Sequence, residues 1–221
     1  MKNLSLSIAA LAMVLLSTMS LFAQDTIPSK PPADKPKEEK KKMIQMKGKD
    51  IAVVETSMGQ FEIELYASDA PKTVENFLGL TKKKYFDGMR VHRVSKGFVI
   101  QTGDDKSKDP ALAEQWGTGG SSLWGKDFAD ELDPKTPSSK EGYKKGVVAM
   151  ANRGPNTNSS QFFVCLKDVG LPHNYTIFGK VVKGMDVVEK IGQVEIIPGQ
   201  MGPTDGRPKQ DVMVKNIRVK K

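Results

Sequence analysis

The sequence predicts a mainly β protein: an antiparallel β-barrel closed on itself, with two helices packed outside it. Three observations lead there. Apolar and polar residues alternate in many short runs bounded by turn-forming residues, only two segments carry apolar residues at helical spacing, and no internal repeat divides the chain. Many short strands with so few helices argue for closure, because a closed antiparallel sheet leaves no edges.

The first 49 residues stand apart from this pattern. Lys2, then an apolar stretch from Leu4 to Leu16 that continues to Phe22-Ala23, reads as a secretory signal over residues 1–23, cleaved before Gln24. Leu21 stands where a small residue is usual, so an uncleaved membrane anchor is the alternative. Ser5, Ser7, Ser17, Thr18 and Ser20 dilute the stretch and favour cleavage. Neither a lipid-attachment cysteine nor an Arg-Arg pair is present in it. Residues 24–49 are Pro, Lys, Asp and Glu with almost nothing to bury, which is the composition of a disordered linker. The expected location is therefore periplasmic or secreted, or membrane-tethered if the signal stays, with no stable membrane insertion once it is cleaved. Residues 1–49 carry nine Lys against four acidic residues, +5, which leaves +3 of the formal +8 for residues 50–221. A nearly balanced domain without aromatics interleaved in a basic patch gives no nucleic-acid interface.

Within the domain, residues 51–55 and the alternation Phe61, Ile63, Leu65 make a strand pair turning at Ser57-Met58-Gly59. Ser68-Asp69-Ala70-Pro71 starts a helix whose apolar face is Val74, Phe77 and Leu78, and which Lys82-Lys83-Lys84 closes at the negative end of its dipole. Short strands follow at 89–94, 98–102, 147–150, 161–166 and 176–182. A second helix is expected at 185–191, where Val187, Val188 and Ile191 share a face. In the last strand, 212–219, the alternation Val212, Val214 shifts phase to Ile217, Val219, as a bulge at Lys215 or Asn216 would produce. Cys165 is the single cysteine, so no intramolecular disulfide forms; it reads as a small buried hydrophobe rather than a reactive thiol.

Two runs carry the functional signal. One is Val91-His92-Arg93-Val94 with Gly97-Phe98-Val99-Ile100-Gln101-Thr102-Gly103-Asp104; the other is Met150-Ala151-Asn152-Arg153-Gly154-Pro155-Asn156-Thr157-Asn158-Ser159-Ser160-Gln161-Phe162-Phe163. Together they closely resemble the signature segments of cyclophilins, the peptidyl-prolyl cis/trans isomerases, of a bacterial exported type. The resemblance covers residues 50–219 and implies an eight-stranded antiparallel barrel capped by two helices. It also implies no metal and no cofactor, and Pro-containing unfolded or flexible polypeptides as partners of a monomer.

By this resemblance Arg93, directly after the His, is the catalytic residue. A lone Arg on a strand is ordinarily solvated or ion-paired; its flanking sequence favours catalysis here. Phe98, Val99, Phe163 and Leu171 would form the proline pocket, with Tyr175 where many members have His. Gln101, Gln161 and the backbone of Ala151 and Asn152 would hold the peptide. Strand parity independently puts Gln161 with Phe163, and Val99 with Gln101, on shared faces. His92 is read as structural, holding a hydrogen bond in the core, because the reaction needs no titrating group. His173 lies in a loop without a metal partner. Trp116-Gly117-Thr118-Gly119-Gly120 follows the family's Gly-rich loop. The departures are the longer segment 105–115, Arg153 in place of a small residue, and no Trp beside Leu171. A Pro-peptide binding module with little turnover and an envelope-tethered scaffold are the competing functions.

Arg153 is expected to repel cationic residues of a substrate. Cyclosporin, the family's macrocyclic inhibitor, should bind more weakly here than to eukaryotic cyclophilins, by ~2–3 kcal/mol, because the indole donor and ring beside Leu171 are missing. Inhibition of isomerase activity at nanomolar cyclosporin would contradict this.

Overall fold

The computed structural model describes residues 50–220; the expected signal at 1–23 and linker at 24–49 lie outside the described residues. The chain opens with β1 (Ile51–Thr56) and β2 (Gly59–Leu65), paired from Ile51↔Glu64 to Thr56↔Gly59 across a two-residue turn. Helix α1 (Pro71–Lys82) follows, then β3 (Arg93–Ser95) and β4 (Val99–Thr102). The long segment after β4 holds two 3-10 turns, Asp105–Lys108 and Pro110–Gln115. The short helix α2 (Pro137–Glu141) leads to β5 (Val147–Met150), β6 (Phe162–Cys165) and β7 (Ile177–Lys183). Helix α3 (Met185–Gly192) precedes the hairpin β8 (Ile196–Gly199) and β9 (Gly202–Pro208), and β10 (Val214–Val219) ends the fold.

All pairings are antiparallel, in the order β10-β1-β2-β7-β5-β6-β4-β3-β9-β8. The expected eight strands are thus ten, in one antiparallel sheet. The excess is the β8–β9 hairpin, whose Pro-Gly-Gln-Met-Gly-Pro sequence carries turn residues but no apolar alternation. Just ahead of β3 the chain bonds to the start of β10, through Gly88 N–H to Val214 O (2.9 Å), Val214 N–H to Met89 O (2.7 Å) and Val91 N–H to Val212 O (2.9 Å). The expected bulge is present: Glu55 pairs with Asn216 and Thr56 with Val214, so Lys215 is the extra residue.

The sheet has two apolar faces. Its larger core gathers Val54, Phe61, Ile63, Val94, Ile100, Phe162, Val164 and Phe178 beneath Val74 and Phe77 of α1 and Val188 and Ile191 of α3. Phe77 lies within 5.3–5.6 Å, ring centre to ring centre, of Phe86, Phe162 and Phe178, the tilted and edge-on range that aromatic rings prefer. Val99, Tyr143, Val147, Ala149, Phe163, Cys165 and Ile177 form a smaller cluster on the other face. Cys165 is fully buried there, and burial first, then the charge of Asp168, pushes its thiol up to about 12, so the thiolate is suppressed and the residue acts as a hydrophobe.

Pro71 starts α1 as the sequence requires, but its first-turn donors are not satisfied locally, and Ala70 offers no side-chain cap. The Glu131 carboxylate accepts from Lys72 N–H (2.9 Å) and Thr73 N–H (2.8 Å), the latter 58 positions away. Asp69, just before α1, in turn accepts from Ser138 N–H (2.9 Å) in α2, a third helix that the sequence pattern did not show. An anion at a helix N-terminus is favoured by the dipole as well as by the bonds. Glu131→Ala should therefore destabilise the fold by about 1–2 kcal/mol, read as a lower urea midpoint with an unchanged slope; an unaltered midpoint would show that the cap is dispensable.

Candidate active site

Strand register assembles the site. Arg93 stands opposite Gln101, Gln101 opposite Phe163, Phe163 opposite Ala149 and Ala149 opposite Ile177, one continuous row across β3, β4, β6, β5 and β7. Residues directly opposed in an antiparallel sheet project to the same side. The row therefore runs from a cation through an amide to a phenyl ring on one surface. The next row, Val94, Ile100, Val164 and Val148, faces the larger core.

Phe98, Ala151, Leu171 and Tyr175 pack around the apolar end, against the cluster that contains Val99 and Phe163. Phe163 and Tyr175 meet edge to face at 5.6 Å. Tyr175 is held by its backbone: Tyr143 Oη donates to Tyr175 O (2.9 Å) and accepts from Tyr175 N–H (3.0 Å). Tyr143, which the sequence reading passed over, thus sets the far wall of the pocket. Asn152 ties the rim to that wall through Nδ2 to Asn174 O (2.8 Å), and Ala151 N–H is bonded to Gln161 O (2.9 Å).

The polar end is a directed chain of hydrogen bonds. Gln161 Nε2 donates to Gly117 O (3.0 Å) and Gly119 O (2.8 Å), so its Oε1 is left to accept from Gln101 Nε2 (2.9 Å). Gln101 Oε1 then accepts from Arg93 Nη1 (3.1 Å). On its other edge Arg93 bonds Asp205 of β9, with Nε 2.9 Å from Oδ1 and Nη2 2.7 Å from Oδ2. A cleft of about 410 Å³ opens on this side, lined by Arg93, Gln101, Trp116, Met201, Asp205 and Arg207 among others. Sequence reasoning missed Asp205 altogether, since Thr-Asp-Gly-Arg-Pro reads locally as a turn.

The Gly-rich loop is anchored from below by Asp104, fully buried, which accepts from Lys106 N–H (2.8 Å), Gly119 N–H (3.2 Å) and Gly117 N–H. Gly117 has φ +91°, and a Cβ on Gly119 would lie 2.3 Å from Asp104 Oδ1, so this carboxylate and a side chain at 119 cannot coexist. These bonds correct the reading of His92. It is buried beneath Gly117 as expected, yet neither ring nitrogen has a hydrogen-bond partner: Asp104, the neighbouring carboxylate, is already taken by backbone N–H groups, and Gln161 beside the ring is turned to its carbonyls. Arg153, at the rim of the loop, has a partner that the sequence did not show. Its guanidinium is paired with Asp127 (3.0 and 3.1 Å), an ion pair exposed to solvent.

The profile of the cyclophilin-type peptidyl-prolyl cis-trans isomerases matches residues 51–219. This chain belongs to that family. Peptidyl-prolyl cis-trans isomerase-like 1 of Neurospora crassa is 42% identical over 173 residues, covering 77% of this chain and 93% of the relative. Peptidylprolyl isomerase domain and WD repeat-containing protein 1 of Mus musculus is 40% identical over 172 residues, and there this chain spans only 24% of the relative's length. A Cryptosporidium parvum cyclophilin-type isomerase is similar in structure, at TM-score 0.68 and 29% identity, covering 79% of this chain and 99% of its own. The same enzyme has been solved in the presence of the dipeptide Ala-Pro, at TM-score 0.66. Among the described residues no group of three or more His, Cys, Asp or Glu side chains is placed to hold a metal.

Burial, more than the adjacent Arg93 charge, holds His92 neutral and lowers it to about 4 from an ordinary 6.5, while Asp104 opposes the shift. The unfolded chain therefore takes up a proton that the folded one refuses. Stability should be full above pH 6.5 and fall progressively as pH drops towards 4, by on the order of 3 kcal/mol from this group. Urea midpoints across this window test it: in His92→Phe the loss between pH 6.5 and 4 should flatten, and an identical slope in the variant would assign it to other groups.

Proposed function

We propose that this protein is a peptidyl-prolyl cis/trans isomerase whose catalytic residue is Arg93. One observation carries the reading: the register row puts a guanidinium, an amide and an apolar pocket side by side on one face. An X-Pro bond rotates over a barrier of ~18–20 kcal/mol because amide resonance is lost on the way. No bond is made or broken, so the site needs only to hold the twisted amide better than either planar form. The proline ring seats against Phe163, with Phe98, Val99 and Leu171 around it and Tyr175 behind. Gln101 and the backbone at Ala151 and Asn152 hold the flanking peptide. Gln161, whose own amide is turned to the Gly-rich loop, fixes the orientation of Gln101. Arg93 Nη1 retains an N–H beyond the one given to Gln101 and offers it to the amide nitrogen as that atom becomes pyramidal and basic.

The substrates are Pro-containing segments of unfolded or flexible polypeptides, a reading supported by the Ala-Pro dipeptide used with the related enzyme. The signal-like residues 1–23 support export, hence a role in folding periplasmic or secreted proteins, where slow X-Pro rotation can limit the rate.

A coupled proteolysis assay on an Ala-Pro peptide tests the activity and separates an enzyme from a binding module. Arg93→Ala should lower kcat by about ten- to hundredfold with little change in KM, because a donor used mainly in the twisted state is removed. Phe163→Ala should lower binding and turnover together by opening the pocket. A folded Arg93→Ala protein, checked by circular dichroism, that kept the wild-type rate would overturn the assignment.

A further inference from the structure

We infer that Asp205, on the β8–β9 hairpin, is a positioning residue that fixes the guanidinium of Arg93 for catalysis. The inference rests on the catalytic reading of Arg93 and adds to it a second strand, distant in sequence, on which that side chain depends.

The geometry is that of a clamp. Both carboxylate oxygens of Asp205 engage Arg93: Nε lies 2.9 Å from Oδ1 and 3.2 Å from Oδ2, and Nη2 lies 2.7 Å from Oδ2. A planar fork held at two of its nitrogens cannot swing about its terminal torsions. What else holds Arg93 is weaker, namely one bond to the uncharged amide of Gln101 (3.1 Å) and a sulfur contact at 3.6 Å to Met201, which is 74% exposed. Without Asp205 a long side chain at the rim of a cleft would sample several rotamers. With it, the Nε–Nη2 edge is committed to the carboxylate and the Nη1 corner is turned towards Gln101 and the row that ends in Phe163.

The hairpin is built for this approach. β9 pairs with β3 at Ser95↔Asp205 and Val94↔Gly206, which brings the acid beside the strand that carries Arg93. A Cβ on Gly206 would lie 2.0 Å from Ile197 O, so only glycine lets β8 close on β9 immediately after Asp205. Asp205 is 8% exposed. Burial alone would raise its carboxyl, but the hydrogen bonds from Arg93 and Ser95 and the Arg93 charge outweigh it and hold the group below the ordinary carboxylate range. The nearby Arg207 does not compete: its guanidinium lies over Trp116 at 6.0 Å and faces Glu114 at 3.8 Å.

A carboxylate so placed also partly neutralises the guanidinium, and a mere ion pair would be expected to cost activity rather than to support it. Orientation decides between the two effects, because the N–H aimed at the substrate belongs to the corner that the acid leaves open, and displacing a catalytic group by about 1 Å can cost ~100-fold in rate.

The test is a mutant cycle on the full chain with an Ala-Pro peptide, using Asp205→Ala, the isosteric Asp205→Asn, Arg93→Ala and the double variant. Asp205→Ala and Asp205→Asn should each lose about three- to tenfold in kcat with KM nearly unchanged. In the Arg93→Ala background, removing Asp205 should change nothing further. In ¹H–¹⁵N spectra the Arg93 Nε–H signal, protected in wild type, should exchange rapidly in both Asp205 variants. Wild-type or raised kcat in a folded Asp205→Asn protein, or an equal loss with Arg93 already gone, would overturn the positioning role while leaving Arg93 as the catalyst. A full wild-type rate in Arg93→Ala would overturn both.

Discussion

Phe162 and Phe163 are neighbours in sequence and opposites in space, and the rest of the molecule is arranged around that opposition. Phe162 is locked among Phe77, Phe86 and Phe178 in the larger core, while Phe163 lies in the smaller cluster on the other face of the sheet. The period-2 geometry of a strand permits no intermediate choice, since a slip of one residue would move every side chain of β6 to the wrong side. The aromatic core therefore does more than stabilise. By fixing the register of β6 it fixes which residues of β4 and β3 stand in the row with Phe163, and so places Gln101 and Arg93.

The polar half of the site is ordered by a different logic. Each amide along it has one orientation because its neighbour has one: two loop carbonyls set Gln161, Gln161 sets Gln101, and Gln101 meets a guanidinium that can only donate. Asp104 fixes the loop that presents those carbonyls, and it is satisfied wholly by backbone donors. The result is a surface pre-arranged in both shape and polarity, with no group that must gain or lose a proton. That suits a reaction whose two ground states differ only by rotation about one bond.

Most of the sheet was legible in the sequence, because alternation and helical spacing are local signals. The bulge at Lys215 showed as a phase shift, and α1 began at Pro71. What escaped was set by partners far along the chain. The β8–β9 hairpin has little apolar alternation, β8 being Ile-Ile-Pro-Gly, so nothing in its composition announced strands. Glu131 and Asp69 sit in loops, where no motif says which helix they will cap. His92 was expected to hold a hydrogen bond; the competition it loses, for Asp104, involves backbone groups thirteen or more positions beyond that acid, which no side-chain pattern encodes. Of the site, Arg93, Gln101 and Phe163 of the row, with Phe98, Val99 and Gln161, lie in the two signature runs, whereas Leu171 and Tyr175 lie outside them and Ala149 and Ile177 carry no local signal. The residues behind them, Tyr143 and Asp205, were missed.

β1 lies in the sheet between β2, its immediate successor, and β10, the last strand of the fold. One edge of the opening strand can pair within a few residues of its own synthesis; the other waits until Val219 exists. On a ribosome, then, β1 and β2 emerge as a hairpin with an unpaired apolar-flanked edge, held open for the time it takes to make more than 150 further residues. Long-range pairings of this kind are formed late and slowly. A protein proposed to relieve slow steps in the folding of others thus has an opening strand whose second edge is filled only by the last strand of its own fold.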